Sequence, residues 1–388
     1  MAAVPTTETV AAEDFVPILA QVKQFVRDEV VPREREIADT NAIPDDLREK
    51  AAAMGLFGYA IPEEYGGLGL AITQDVELAL ELGYTSLAFR SLFGTNNGIA
   101  GQVLVGYGTD GQKKRWLEPM AEGRVVASFV LTEPEAGSDP SGMRSTATWS
   151  EDGWTIDGQK RFITNAPIAD LFIAFAKVKN HGADDGKVAV FLVPADTPGI
   201  TVGPKDKKMG QEGATTADVT FDSVRVDADA LVSGEVQTGF RAAMTVLARG
   251  RVHIAALAMG LARRALDESV AYAAQVRQGG VLIGERQLVQ AMLAEQQSLV
   301  LAGTAMVRET ARRYLDGSDR RIGPSATKLF CTEAAGRVAD LAVQVHGGSG
   351  YMRETTVERL YRDVRLLRLY EGTSEIQKLV IARQMLSA

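Results

Sequence analysis

Four short stretches of the sequence combine residue types that could bind a small ligand and carry out chemistry on it. They are SFVLTEPEAGSDPSGM (128–143), DGQKRFITNA (157–166), QVHGGSGYM (344–352) and LYEGTSEIQ (369–377). The first three offer glycines, hydroxyls and an aromatic ring, which suit close contact with a planar or anionic ligand. The fourth adds a carboxylate. Together they predict acid–base chemistry beside a bound heteroaromatic group.

Glu371 is the residue best suited to proton transfer. It follows the apolar run LLRLY and precedes a Gly-Thr-Ser turn. Ser374 and Gln377 fit a capping box, so the last helix is predicted to start near Glu375. Partial burial raises a carboxyl pKa, whereas a helix N-terminus lowers it. A carboxylate in this position can act as a general base. On local sequence alone, an ordinary surface acid is the alternative.

The stretch 128–143 reads as a strand that ends at LTE and continues into a loop of small residues. Pro134, Gly137 and Gly142 shape this loop, and Thr132 and Ser138 add hydroxyl groups. Such a loop lets backbone amides approach a ligand closely. An ordinary Gly/Ser loop is the alternative interpretation.

The stretches 157–166 and 344–352 offer an aromatic platform and a glycine turn. Phe162 and Thr164 are two residues apart, so on a strand they share one face. A ring beside a hydroxyl suits stacking on a heteroaromatic ligand, and a half-buried strand is the alternative. The glycines after Gln344 are expected as a helix C-cap. A functional interpretation is close backbone approach, with Gln344 free to hydrogen-bond.

The elements that must position these residues fall into three successive domains. Residues 1–125 read as amphipathic helices, and residues 126–236 as short β-branched and aromatic strands punctuated by Gly, Pro and Asp. Residues 237–388 read as four long helices, which suggest a bundle. The predicted fold is mostly α with a β insert, the insert being a barrel or sandwich.

Composition excludes several classes of function. The chain has 388 residues, a net charge of -8, one cysteine and three scattered histidines. Net negative charge argues against a nucleic-acid partner. No apolar run reaches the ~18 residues of a membrane span. We expect no metal site and no Ser-His-Asp triad. From the composition of the first residues we expect neither a secretory signal nor a transit peptide. A single Cys331 allows no intrachain disulfide, so a cytoplasmic location is predicted.

Taken together, the four stretches resemble the acyl-CoA dehydrogenase family of flavoproteins. The resemblance covers nearly the whole chain and extends to YGTDGQKKRWLEPMAEG and GRVHIAALAMG. It implies a helical N-domain, a β-domain and a C-terminal four-helix bundle around FAD and an acyl-CoA thioester. It also implies a homotetramer, built as a dimer of dimers, and an electron-transferring flavoprotein as electron acceptor. The implied reaction removes an α-proton, passes a β-hydride to flavin N5 and yields the trans-2-enoyl-CoA.

The resemblance assigns roles residue by residue. Glu371 would be the α-proton base, and its own N–H with a ribityl hydroxyl of FAD would hold the thioester carbonyl. Arg251 and Gly372, with Ser138, would lie beside the substrate. The residues implied to contact FAD are Phe129, Leu131, Thr132, Ser138, Phe162, Ile163, Thr164, Gln287, Gln344, Val345, His346, Gly347, Gly348, Thr373 and Glu375. Of these, 344–348 would reach the FAD of a neighbouring subunit.

The chain departs from the family pattern at several positions. Val276 and Gly279 stand where the family has the arginine and phenylalanine of RxxFG, which reaches the partner's FAD. Ala248 replaces an Asp near the pantetheine. Some members carry the base where this chain has Gly250, which leaves Glu371 as the base. Three alternatives to an acyl-CoA dehydrogenase stay open: an acyl-CoA oxidase, a carrier-protein-thioester dehydrogenase and a non-catalytic paralogue acting as a partner subunit.

Overall fold

The structure, a computed structural model, describes residues 10–387 and consists of helices, then strands, then helices. The prediction that the chain has no leader peptide concerns its first residues. Residues 1–9 of that segment lie outside the described part. Helices fill the chain up to Ala121, the large sheet runs from Ala127 to Val226, and helices resume at Thr238. The N-terminal helices are α1 (Ala12–Phe25), α2 (Glu34–Thr40), α3 (Asp45–Ala53), α4 (Ile72–Leu82), α5 (Leu87–Asn97), α6 (Gly101–Tyr107) and α7 (Asp110–Ala121).

The middle of the chain forms one seven-stranded sheet. Its strands are β1 (Ala127–Val130), β2 (Thr146–Ser150), β3 (Gly153–Thr164), β4 (Leu171–Lys179), β5 (Val188–Pro194), β6 (Ile200–Val202) and β7 (Thr216–Val226). Strand order is β1-β4-β2-β3-β7-β6, with β5 on the other side of β4. β1 and β2 both run parallel to β4, one after the other along its length. β2 and β6 are the strands that the sequence reading did not single out.

The C-terminal part contains one helix more than the predicted four. Its helices are α8 (Thr238–Gln275), α9 (Gln287–Leu315), α10 (Ile322–His346), α11 (Thr356–Leu367) and α12 (Ser374–Leu386). A small hairpin of β8 (Arg277–Gln278) and β9 (Val281–Leu282) joins α8 to α9. α11 is the unpredicted helix, and it ends four residues before Glu371.

Helix α8 is the central helix of the C-terminal part. It is long and apolar enough to pass a composition test for a membrane span, yet 72% of its most apolar window is buried inside the protein. A buried core helix explains that composition. α8 packs against α4 by close backbone approach, since a Cβ on Gly83 would lie 2.4 Å from the Leu257 oxygen and one on Gly260 would lie 2.4 Å from the Leu80 oxygen.

Helix α11 ties the three parts of the chain together. Its Arg359 pairs with the buried Glu34 of α2. Its Arg362 binds Glu212, and its Asp363 accepts the amide N–H of Gln211, both in the loop before β7. Because α11 leads directly into the 368–373 turn, these contacts fix that turn relative to the N-terminal helices and the sheet.

Candidate active site

One cavity of about 640 Å³ lies where the three parts of the chain meet. Its walls come from α5, the loop after β1, the end of β3, α8 and the turn between α11 and α12. The residues with predicted roles that line it are Phe129, Leu131, Thr132, Ser138, Phe162, Ile163, Thr164, Arg251, Glu371 and Gly372. The fold therefore gathers three of the four chemical stretches into a single site.

The turn that carries Glu371 is held in a strained conformation. Glu371 has φ of 53°, a region that residues with a Cβ seldom adopt. The buried ammonium group of Lys328 on α10 donates to the carbonyls of Tyr370 and Gly372. Gln377 donates to the carbonyls of Glu371 and Gly372. These hydrogen bonds hold the turn in its strained conformation. Backbone strain of this kind persists only where several contacts maintain it.

The carboxylate of Glu371 is buried, and one of its oxygens has no hydrogen-bond partner in the described part of the chain. Its Oε2 atom contacts no donor among the residues described. Burial raises its pKa, and the nearby charges of Arg90, Lys328 and Arg251 oppose that shift. The amide N–H of Glu371 also makes no hydrogen bond within residues 10–387. A carboxylate and an N–H group are thus presented together to the cavity.

The last helix begins one residue earlier than predicted. Thr373 is the N-cap and accepts the amide N–H of Ile376, so the helix starts at Ser374. Gln377, predicted to close a capping box, binds the carbonyls of the Glu371 turn instead. The outcome is a cap that positions the turn as well as the helix.

A buried ion pair organises the loop that follows β1. Glu133 accepts the amide N–H groups of Arg144 and Ser145, at the far end of the loop. The ammonium group of Lys160 lies 2.8 Å from Glu133 and 2.7 Å from the carbonyl of Phe175. Both charged side chains are almost fully buried. These contacts join the two ends of the loop that presents Ser138.

The end of β3 presents an aromatic ring and a hydroxyl to the cavity. Phe162 has φ of 57° and is 59% exposed, which is unusual for a large apolar side chain. The pairing register with β7 shifts between Lys160 and Ile163, so a β-bulge lies here. Phe162, Ile163 and Thr164 all line the cavity, so the bulge replaces the simple alternation of faces on which the spacing argument rested. The hydroxyls of Thr132, Ser138 and Thr164 make no hydrogen bond to the described residues.

The remaining predicted FAD contacts lie outside this cavity. They are Gln287, Gln344, Val345, His346, Gly347, Gly348, Thr373 and Glu375. Several of them form a second patch, because Val345 packs with Val276 and Ile283 of the hairpin and His346 stacks on Tyr272. Gln287, Gln344 and the two glycines are exposed there. This patch is a surface of the chain, separate from the cavity.

The sequence reading missed a buried polar cluster at the cavity wall. Arg90 of α5 donates from Nε to Nε2 of His253, at 2.9 Å. Nδ1 of His253 lies 2.7 Å from Asp75, and Asp75 also pairs with Arg249 at 2.8 Å. Arg90, Arg249 and His253 line the cavity, and Asp75 is fully buried behind them. The four residues come from three helices, so no local sequence pattern predicts the cluster.

Three family models match the chain in succession. They describe the acyl-CoA dehydrogenase N-terminal domain over residues 13–124, the middle domain over 128–224 and the C-terminal domain over 237–386. The chain belongs to the acyl-CoA dehydrogenase family and is an oxidoreductase of that class. Its fold is the family's: an N-terminal helical domain, a central β half-barrel and a C-terminal helical domain. The predicted family and fold class are confirmed.

Relatives with different names cover nearly all of the chain. The probable acyl-CoA dehydrogenase YngJ of Bacillus subtilis is 39% identical over 372 residues, which are 94% of this chain and 96% of YngJ. The 3-(aryl)acrylate reductase of Clostridium sporogenes is 36% identical over 364 residues, 94% of this chain and 96% of that protein. Subunit CarC of the caffeyl-CoA reductase-Etf complex of Acetobacterium woodii is 34% identical over 351 residues, covering 90% and 92%.

Solved structures superimpose on the whole chain. Butyryl-CoA dehydrogenase from Megasphaera elsdenii has a TM-score of 0.91 at 30% identity, covering 98% of this chain and all of that one. Acyl-CoA dehydrogenase complexed with FAD from Bacillus anthracis has a TM-score of 0.90 at 29% identity, covering all of this chain and 69% of that one. The prolyl acyl carrier protein oxidase AnaB has a TM-score of 0.91 at 29% identity, covering 97% and all of that chain.

FAD is the cofactor of this family, and the residues of this cavity fit it. An exposed phenyl face, three unpartnered hydroxyls and a preformed loop suit a flat ring with a polar edge. The prediction of FAD is confirmed by the family and by relatives that bind it. Which residue makes which contact stays a prediction.

Proposed function

We propose that this enzyme catalyses the α,β-dehydrogenation of an acyl-CoA thioester to the trans-2-enoyl-CoA, with Glu371 as the α-proton base. The observation that carries the proposal is the Oε2 atom of Glu371, which is buried at the cavity wall and has no hydrogen-bond partner among residues 10–387. A buried carboxylate that no donor satisfies is costly. Such a cost is expected where the oxygen must accept a proton from a ligand.

The chain's own residues account for the proton-transfer half of the reaction. Oε2 of Glu371 takes the α-proton, and the unpartnered N–H of the same residue holds the thioester carbonyl as charge develops on its oxygen. FAD, when bound, supplies the acceptor for the β-hydride at its N5 atom. Arg251, whose Nη1 is held by Ser325 at 3.2 Å, keeps a positive charge beside the base. The hydroxyls of Thr132, Ser138 and Thr164 would hold the flavin's polar edge.

The partners of the reaction follow from the family. We infer that a CoA thioester is the substrate, that an electron-transferring flavoprotein accepts the electrons, and that the enzyme is a homotetramer in which the patch around Gln344 and Gln287 meets a neighbouring subunit's FAD. The name of the caffeyl-CoA reductase-Etf complex supports the electron partner. A cytoplasmic location remains the prediction drawn from the single cysteine.

A second candidate is the same chemistry run as a reduction of an enoyl thioester. Two relatives are named as reductases of aryl-acrylate compounds or caffeyl-CoA. Burial raises the pKa of Glu371, so its carboxyl holds a proton more readily than an exposed glutamate does. A protonated Glu371 could deliver that proton to the α-carbon. Supplying reduced enzyme with enoyl-CoA tests this direction.

The test of the proposed function is anaerobic bleaching of the flavin by acyl-CoA thioesters. Glu371→Gln keeps the shape of the side chain and removes the base, so we expect normal flavin content and bleaching slowed at least about 10³-fold. Glu354→Gln, an exposed acid outside the site, is the matched control.

Each other outcome has a distinct meaning. If acyl-CoA bleaches the flavin of Glu371→Gln at the wild-type rate, the base is another residue. Wild-type protein that takes up no FAD would favour a non-catalytic paralogue. Rapid reoxidation of bleached enzyme by oxygen would favour an oxidase. Bleaching by an acylated carrier protein and not by acyl-CoA would favour a carrier-protein substrate, as the name of AnaB suggests for that protein.

A further inference from the structure

Arg90 presents unused hydrogen-bond donors to the cavity. Its side chain lies in the wall and the residue is only 9% exposed. Nε donates to His253, and the two terminal nitrogens make no hydrogen bond to the described residues. An arginine residue that is nine-tenths buried normally has partners for its whole fork. The missing acceptor must therefore come from the cavity.

His253 and Asp75 hold this guanidinium in place. Arginine can only donate, so Nε2 of His253 accepts, and its proton lies on Nδ1 facing Asp75. Burial lowers the pKa of His253, which keeps the imidazole neutral, as this tautomer requires. Although burial alone would raise the pKa of Asp75, His253 and Arg249 hold it at about 2. Asp75 thus fixes the orientation of Arg90 through His253, by two successive hydrogen bonds.

The backbone is shaped to leave room for the same guanidinium. A Cβ on Gly94, one helical turn after Arg90, would lie 2.7 Å from the central carbon of its guanidinium. Gly94 also lines the cavity. Helix α5 thus has a glycine, with no side chain, at the position where the Arg90 guanidinium lies. This space and the His253 contact show a preformed site.

Positive charge exceeds negative charge on this wall. Arg90, Arg249 and Arg251 line it, Lys328 lies beside the Glu371 turn, and Glu371 is the carboxylate among them. Asp75 behind the wall neutralises one of the four cations. Among these four cations and two carboxylates, two positive charges remain uncompensated when Glu371 is ionised. Buried charge of one sign calls for a ligand of the opposite sign.

We propose that the Arg90 fork, supported by Arg249, is a carboxylate-binding subsite, and that the substrate is an acyl thioester whose acyl group bears a second carboxylate. This inference rests on the proposed function, because it names the substrate class of that site. An Arg fork binds a carboxylate through two parallel hydrogen bonds, which sets both the charge and the orientation of the acyl chain.

The test compares carboxylated and neutral thioesters of equal carbon number on the wild-type holoenzyme. The probes are the CoA monothioesters of glutaric and adipic acids, against pentanoyl-CoA and hexanoyl-CoA. Equilibrium binding is measured calorimetrically, and turnover is measured by anaerobic flavin bleaching. We expect at least one carboxylated thioester to bind about 10- to 100-fold more tightly than its neutral counterpart. Equal binding, or preference for the neutral thioesters at both lengths, would overturn the proposal.

Variants assign the preference to Arg90. Arg90→Gln should lose the preference for the carboxylated thioester by about 10- to 100-fold while binding of the neutral thioester changes little. Arg90→Lys, which keeps the charge, should retain part of it. Arg308→Gln, which removes a surface ion pair with Glu77, is the control. An equal loss for both thioesters would overturn the proposal and make Arg90 a support for Glu371.

Failure of the subsite and failure of the proposed function give different results. An Arg90-dependent binding preference without any bleaching would support the subsite and overturn the dehydrogenation. Bleaching by neutral thioesters alone would support dehydrogenation and overturn the subsite. Since the wild-type comparison needs no variant, the proposal stays falsifiable even if Arg90→Gln does not fold.

Discussion

A Cβ atom on Gly250 would lie 2.1 Å from Oε2 of Glu371. The central helix α8 therefore has no side chain at the point where the carboxylate of Glu371, the proposed base, lies. The two residues are far apart in the chain and belong to different elements. Their contact explains why a glycine is present in the middle of a long helix, where it costs about 1 kcal/mol relative to alanine.

Replacing Gly250 by alanine should displace the carboxylate without unfolding the helix. The new methyl group takes the position of Oε2, so Glu371 must rotate away from the α-proton that it is proposed to remove. A misplacement of this size costs about 10²-fold in rate. We expect kcat for flavin bleaching to fall by that amount with flavin content unchanged.

The matched control for this variant is Gly106→Ala. Gly106 lies in helix α6, and a Cβ there would meet nothing within 4 Å. It should keep full activity and be slightly more stable, because alanine favours the helix. A Gly250→Ala enzyme as active as this control would show that Glu371 has room to move and still function.

The burial of Glu371 predicts a stability difference that depends on pH. Its pKa is raised in the folded state, so its stabilising contribution is complete below the unfolded value and is lost as pH rises through the raised value. Glu371→Gln is neutral throughout and does not lose it. The Tm of the variant should therefore exceed that of the wild type at neutral pH, and the difference should shrink toward the acid side.

Thermal unfolding of both flavin-loaded proteins across that range measures the effect. Glu354→Gln, at an exposed position, should follow the wild type at every pH. A constant difference between wild type and Glu371→Gln would mean that the carboxylate is not destabilised by its environment.

Lys328 should matter for activity although it faces backbone carbonyls. Lys328→Met removes the donors to Tyr370 and Gly372. The Tyr370 carbonyl then loses its partner at a cost of about 1–3 kcal/mol, whereas the Gly372 carbonyl keeps its hydrogen bond from Gln377. The strained φ of Glu371 should then relax. We expect kcat to fall about 10- to 100-fold, with KM changed much less. Steady-state kinetics and Tm on the holoenzyme measure both effects.

Lys378→Met, on the exposed face of α12, is the comparison for that variant. A Lys328→Met enzyme with lowered Tm and unchanged kcat would restrict Lys328 to a structural role. Loss of kcat together with loss of all flavin would instead indicate that the whole turn had collapsed.

The buried pair of Lys160 and Glu133 should be a major contribution to the stability of the sheet. Lys160→Met leaves Glu133 buried with only two backbone donors. Breaking a buried pair from one side costs about 3–5 kcal/mol. Lys187→Met, which breaks an exposed pair with Asp184, should cost at most about 1 kcal/mol. Denaturant unfolding and flavin content test this, and similar losses for both variants would contradict it.

Local patterns were enough to predict the order of the domains and most strands. They also singled out Glu371, whose role as the base stays a prediction. Helix α11 was missed, although Val357, Leu360, Val364 and Leu367 repeat at the i, i+3, i+7 spacing of a buried helix face. That signal was present in the sequence. No element was predicted for this segment from the sequence. Its Arg359, Arg362 and Asp363 are the residues that bind the other two domains.

The cluster around Arg90 and the role of Lys328 could not have been predicted locally. Lys328 binds carbonyls that follow it by more than forty residues, at sequence separations of 42 and 44. Arg90, His253 and Asp75 come from three helices that meet only in the folded protein. Contacts of this kind depend on tertiary packing, which a single sequence does not reveal.

The hairpin after α8 gives a physical reason for the departure at Val276 and Gly279. Gly279 and Gly280 both have positive φ, 62° and 79°, as a two-residue hairpin turn of this type requires. A phenylalanine would be strained at that position. The carbonyl of Val276 accepts a hydrogen bond from the amide N–H of Ile283, and the Val276 side chain packs in the cluster with Val345. Within the loop, Arg277 donates to the carbonyl of Gly280 and Arg286 donates to the carbonyl of Gln278.

Val276→Arg should consequently fail to tighten FAD binding. The arginine loses the packing with Ile283, and its charge must reach past a half-buried apolar cluster, so we expect stability to fall by about 1 kcal/mol. Val276→Thr keeps the shape without the charge and separates the two causes. FAD affinity by fluorescence during reconstitution and Tm of the holoenzyme are the measurements. Tighter FAD retention by Val276→Arg than by Val276→Thr would show that the missing arginine is a deficit that the hairpin has not replaced.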